Sequence, residues 1–432
     1  MRSVPAPGSN GAPPDRPDDR EARLLDWLVP GGQDVSSLST ADIQRFCWYE
    51  LPRKWHADQT EQQELLRSLA QLLTRAGRPR PAAVCTTETT TGVLSSWRNS
   101  PQEGIAACHK AMADSPTTPP NTPELTWGEV MGAHESVAHA NASIHLEQAL
   151  DAGDLDPATR GFRAARIHLT EQWLTTPHPA HHGRPPLDAI RTERRDAWQT
   201  APPAERRNLL APVLPALDRP LPTPADTAEP LSWLLQAIGD GVPLTQAGYL
   251  PSRLVAEAFA RYPHWYPIGK GPRSEADLFQ LANLHEIARH YRLLTKRHRT
   301  VKLSAAGRTH LTDPELRQNT AVLAWLGADR AQHHAAEAAV CALWPSPLPH
   351  DELERVVHQV LAASLRHADE TPITHDDTRR LLWQWLHTGQ EMGYIHRERG
   401  PGQPTALTLT GRPAALALLS RLAQAPQHAQ ST

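Results

Sequence analysis

The sequence predicts a mainly α protein: an N-terminal helical domain followed by two smaller α units, each with a small β-hairpin. Three observations predict it. Apolar residues recur at spacings of three and four along most of the chain. That spacing gives way to β-compatible alternation at two places, around Leu293 to Leu303 and again before Leu407. The joint that follows is written twice, as LSAAGR at Leu303 to Arg308 and as LTLTGR at Leu407 to Arg412.

Length and composition agree. A chain of 432 residues exceeds one ordinary core, and 41 prolines imply many breaks between short elements. The formal charge of −3 excludes a general polycationic coat, so any electrostatic footprint is local. Lys plus Arg against Asp plus Glu is 10 to 15 over residues 41–160 but 11 to 6 over residues 228–312. Cys47, Cys85, Cys108 and Cys341 form no CxxC pair and read as buried free thiols, which implies a reducing, cytoplasmic setting. No run of 18 apolar residues is present, so no membrane span is expected.

Residues 1–20 have almost nothing to bury and are expected to be a disordered tail, as are 423–432. A helical domain is expected over 21–175. In it Ser39 can cap a helix carrying Ile43, Phe46 and Cys47, and Leu65, Leu66, Leu69, Leu72 and Leu73 form one stripe ended by Gly77. Residues 176–230 read as a His- and Pro-rich segment and linker.

The first hairpin-bearing unit is expected over 231–316. A helix through Leu234 and Leu235 stops at Gly239, and Val242 to Thr245 suits a short strand. Pro251 opens a helix with Leu254, Val255 and Ala258 on one face. Ser274 with Asp277 then starts a long helix bearing Leu278, Leu281, Leu284 and Ala288, before the hairpin. The second unit, expected over 325–422, repeats the pattern, with Pro372 to Thr374 as its short strand.

Helix, strand, helix, helix, hairpin resembles the winged-helix superfamily. The resemblance implies that the helix before the hairpin enters the major groove and that the hairpin tip touches the backbone. GVPLTQAGYLPSRLVAEAF, LLTKRHRTVKLSAAGRTHLTDP and FCWYELPRKW also resemble segments of uncharacterised actinobacterial proteins, some of plasmid open-reading-frame type. That similarity implies lineage rather than mechanism.

From Arg289 to Arg308 the chain holds seven basic residues and no acidic one: Arg289, Arg292, Lys296, Arg297, Arg299, Lys302 and Arg308. Such density suits phosphate contact with counterion release, while a solvated hairpin is the plainer account. Gln280, Asn283, His285 and Arg289 are the candidates for reading base edges. Arg397, Arg399 and Arg412 are the weaker basic set of the second unit, which could equally pair two subunits. DNA is the expected partner, with a homodimer or a protein partner on the N-terminal domain as the alternative.

Catalytic and metal readings fail on spacing. HESVAH and HEIARH place their histidines five apart, which turns the second ring by about 140° from the first, against the four-residue spacing of zinc hydrolases. His178, His181 and His182 lack ligand-spaced cysteines or carboxylates, and GKGPRS lacks the phosphate-loop pattern. No catalytic residue, metal or cofactor is therefore expected. Tryptophans such as Trp48, Trp97, Trp325 and Trp383 fall in apolar stripes and are expected in cores. YPHWYP, with Tyr262, Trp265 and Tyr266, is read either as an exposed aromatic surface or as a loop folded onto the core.

Overall fold

Periodic apolar spacing becomes helix along most of the chain. The computed structural model describes residues 17–30, 34–55, 57–220, 228–266, 271–397 and 402–427, and it is mainly helical with two three-stranded antiparallel sheets. It divides into an N-terminal domain, Met1–Glu193 with Pro426–Thr432, and a C-terminal domain, Arg194–Ala425. No helix among the described residues is long and apolar enough to cross a membrane, and all four cysteines are free and buried.

In the N-terminal domain, Ser39 caps the helix Thr40–Arg45 in a reciprocal box with Asp42. Its continuation widens into a π-helical turn, Phe46–Glu50, that buries Phe46, Cys47 and Trp48. These residues pack with Leu65, Leu69 and Leu73 of the helix Gln59–Arg75. Buried Glu147 accepts the Thr40 N–H at 2.8 Å and pairs with Arg78 at 2.8 Å, so its charge is compensated.

The segment 176–230 is more structured than a linker. It carries the helices Pro186–Thr200, Ala204–Leu210 and Leu214–Leu217, and Leu210, Val213 and Leu217 join the core of the C-terminal domain. Arg206 is anchored there by Glu337 at 2.5 Å, with both side chains nearly sealed from solvent. Its leucine and valine spacing was the overlooked signal for burial.

The C-terminal domain begins its first unit with α1 (Glu229–Ile238), β1 (Val242–Pro243), α2 (Ser252–Arg261), α3 (Phe279–His290), β2 (Leu294–Arg297), β3 (Thr300–Leu303) and α4 (Ala305–Thr312). Helix α5 (Pro314–Leu326) leads to the second unit: α6 (Arg330–Leu343), β4 (Leu348–Pro349), α7 (His350–Ser364), α8 (His375–Glu391), β5 (Ile395–Arg397), β6 (Pro404–Leu407) and α9 (Gly411–Ala423). The sheet orders are β1-β3-β2 and β4-β6-β5, so the two units share one topology. Pro372 to Thr374 is not the short strand of the second unit. Leu348–Pro349 takes that place, pairing Leu348 with Thr405, and Pro372 makes only an isolated bridge to Arg366.

The repeated joint has one geometry. Ser304 Oγ accepts the Gly307 N–H at 2.9 Å and donates to the Arg292 carbonyl at 2.7 Å; Thr408 Oγ1 accepts from Gly411 at 2.8 Å and donates to Gly393 at 2.7 Å. The Ser304 N–H donates to Leu293 O, and the Thr408 N–H to Tyr394 O. Glycine is required because a Cβ at 307 would lie 2.2 Å from Leu293 O, and one at 411 would lie 2.0 Å from Tyr394 O. A single hydrophobic core runs through both units, where Trp325 of α5 stacks on Trp385 of α8 at 4.9 Å.

Candidate nucleic-acid interface

The hairpin β2–β3 is held by register pairs from Leu294 with Leu303 to Arg297 with Thr300, leaving His298 and Arg299 as a two-residue turn. Leu294, Val301 and Leu303 point into the core. The alternate positions Arg297 and Lys302 face solvent, Lys296 is exposed further along the Leu294–Val301 face, and Arg299 is exposed in the turn. Arg292 and Arg308 are exposed at the two ends of the hairpin.

Among the described residues no carboxylate pairs with Arg292, Lys296, Arg297, Arg299, Lys302 or Arg308. Arg299 donates to Leu244 O at 3.3 Å and Arg308 to Leu303 O at 3.3 Å, neutral contacts that leave the charges uncompensated. Arg289 differs, because Glu286 lies 3.0 Å away on the same helix.

Arg292 occupies φ +56°, the left-handed position that ends α3, and Gly393 takes the equivalent place after α8 at φ +75°. An arginine there costs about 1–2 kcal/mol that glycine avoids. This strained backbone stands beside the exposed cationic hairpin.

The candidate base readers fare differently. Gln280 is half-buried. Asn283 donates to the buried Glu391 of α8, because α3 packs against α8. His285 is buried, with Nδ1 2.8 Å from Glu275 Oε1. Asn283 and His285 are thus withdrawn from the surface by acidic partners that helical periodicity does not reveal.

In the second unit Arg397 is half-buried, and Arg399 lies outside the described residues. Arg412 lies 4.3 Å over the Trp344 ring and donates to Trp344 O at 3.0 Å, a structural post rather than a free cation.

The aromatic expectations also shift. Tyr262 and Trp265 are buried and stacked at 4.2 Å, so residues 262–266 of YPHWYP fold onto the core, and Pro267 lies outside the described residues. Trp383, expected in a core, is 47% exposed and stands with Phe279, also 47% exposed, at a centroid distance of 5.6 Å. Among the described residues no group of three His, Cys, Asp or Glu is placed to hold a metal ion. In HESVAH, Glu135 accepts the Gly128 N–H at 2.8 Å and His139 packs edge-on against Trp127.

No family model, curated protein or solved structure matches this chain.

Proposed function

We propose that the two units of the C-terminal domain are winged helices and that the first binds DNA through its hairpin. The shared order of helix, strand, helix, helix and hairpin, with the third strand central in both sheets, supports the fold. The uncompensated cations along β2–β3 and its ends carry the function. With Asn283 and His285 engaged internally, binding rests on phosphate contacts and is tolerant of sequence, as architectural or maintenance roles require.

The second unit serves chiefly as support. The same α3–α8 packing, with Phe279 and Trp383 exposed beside it, favours the competing reading of a protein-docking scaffold.

Six phosphate contacts imply that log Kobs falls against log salt with a slope of about −5, at ~0.9 per contact. Fluorescence anisotropy with the full chain and a labelled duplex tests this. Lys296→Ala, Arg297→Ala and Arg299→Ala together should cut the slope to about half. An unshifted duplex at low salt, or an unchanged slope in the triple variant, defeats the reading.

A further inference from the structure

Two of the four cysteines meet. Cys47 Sγ lies 4.0 Å from Cys85 Sγ in the core of the N-terminal domain, and both thiols are free. A disulfide bond is about 2.05 Å long, so each sulfur has about 1 Å to travel. Neither residue stands inside a regular α-helical ladder. Cys47 sits in the π-helical turn Phe46–Glu50, and Cys85 is the C-terminal cap of the helix Pro79–Val84. Such positions yield more readily than a helix interior, because their backbone bonding is already irregular.

The two thiols differ in what can reach them. Cys47 has no exposed surface, whereas Cys85 is 4% exposed and lines a cleft of ≈ 240 Å³. The helix Gln59–Arg75 contributes Leu66 and Arg67 to that lining, and the helix Glu88–Asn99 contributes Leu94 and Arg98. A water molecule needs only about 10–15 Å³ of such space, so hydrogen peroxide, scarcely larger, has room beside Cys85. Cys108 and Cys341 are buried and make no sulfur contact among the described residues. Burial raises the thiols of Cys47, Cys108 and Cys341 above their ordinary range. Their own reaction with an oxidant is slowed, since the thiolate is the nucleophile.

We propose that Cys85 and Cys47 form a peroxide-oxidisable dithiol, with Cys85 the sulfur that meets the oxidant and Cys47 the one that closes the disulfide. The Cys85 sulfur attacks one peroxide oxygen and the O–O bond breaks. A sulfenic acid is left on Cys85, and the other oxygen departs as water with the thiol proton. Cys47 Sγ then displaces the hydroxyl from Cys85 Sγ; the S–S bond forms, the Cys47 proton goes to the hydroxyl, and a second water leaves. Two thiols thereby give two electrons to one peroxide. The bond joins positions 38 apart and spans the helix Gln59–Arg75, so oxidation ties down the segment that lines the cleft.

Peptide mass spectrometry on the full chain tests this. The reduced protein is treated with hydrogen peroxide, and the thiols that remain are alkylated in denaturant before digestion. Two of the four thiols should disappear together into one peptide pair linking Cys47 to Cys85, and dithiothreitol should restore both. Cys108 and Cys341 should stay alkylated, and Cys108→Ala should cross-link as the parent does. In Cys47→Ala, dimedone should trap a sulfenic acid on Cys85. Four alkylated thiols after an exposure that oxidises free glutathione overturn the proposal. So does a cross-link through Cys108 or Cys341, or a dimedone label in Cys47→Ala that falls on a cysteine other than Cys85. Should Cys47→Ala fail to fold, the linked peptide in the parent and in Cys108→Ala carries the test.

Discussion

Alanine at Gly307 or Gly411 should each destabilise the C-terminal domain by about 2 kcal/mol, and the value follows from the joint itself. A Cβ at 307 would sit 2.2 Å from Leu293 O and 3.1 Å from Leu293 C; at 411 the corresponding distances to Tyr394 are 2.0 and 2.8 Å. Ordinary carbon-to-oxygen approach is about 3.3 Å, so the carbonyl must retreat by about 1 Å. That displacement breaks the bond from Ser304 N to Leu293 O, or from Thr408 N to Tyr394 O, at a cost of about 1 kcal/mol. Residual crowding adds ~1–3 kcal/mol, and the better helix propensity of alanine returns about 1 kcal/mol. Gly92, in the helix Glu88–Asn99, supplies the contrast, because nothing lies within 4 Å of its would-be Cβ. Gly92→Ala should stabilise by about 0.5–1 kcal/mol. Urea unfolding followed by tryptophan fluorescence reads all three variants. If Gly307→Ala and Gly411→Ala match the parent or gain stability as Gly92→Ala does, the close approach is wrong at both joints; if only one does, the two joints are not equivalent.

Arg292→Gly should leave the domain as stable as the parent or more so, by up to about 1 kcal/mol, because φ +56° no longer opposes a side chain. The same change should lower the salt slope of duplex binding by about 0.9. A stability loss in denaturant, or an unchanged slope, would contradict the role given to Arg292. For Glu391, burial pushes the carboxyl up to about 8, with the Asn283 hydrogen bond opposing. Its folded-state pKa is raised, so its contribution is full below the ordinary carboxyl range and is lost as pH rises from there towards about 8. Glu391→Gln should therefore match the parent in acid and exceed it in melting temperature at mildly alkaline pH. Parallel pH profiles for the two proteins would dispose of this account.

The elements with local causes were legible in the sequence. Ser39 announced its helix cap, and Leu303, Ser304 and Gly307 announced a joint whose demands are met within a few residues, whereas Ser274 and Asp277 box a separate 3-10 turn, Glu275–Asp277, and α3 starts only at Phe279. Non-local partners were not legible. Periodicity placed Asn283 and His285 on α3, but Glu391 lies 108 residues away and Glu275 precedes His285 by ten. Nothing in a 3.6-residue repeat says which face meets an acid. A two-residue strand such as Leu348–Pro349 has no alternation to detect, so Pro372 to Thr374 looked equally suitable. Trp383 lies in an apolar stripe but stands at its solvent margin, whereas Trp385, two residues on, is buried against Trp325.

The difference in chemistry between two units of one topology follows from how they share a core. The side chains of α8 that face inward, Trp385 and Leu386, pack in the same hydrophobic cluster as Leu281 and Leu284 of α3. Gly389 extends the fit, since a Cβ there would lie 2.6 Å from Ile395 Cγ1 and 2.7 Å from Trp325 Nε1. The second unit is thereby bound to packing at its helix, at its joint and at Arg412. The first unit keeps its hairpin clear, with Leu294, Val301 and Leu303 buried and Lys296, Arg297, Arg299 and Lys302 exposed without a carboxylate partner among the described residues. Where the second unit has Gly393 after its helix, the first has a strained arginine, Arg292. The two units thus share a strand order but differ in what they leave exposed: packed groups in the second, hairpin cations in the first.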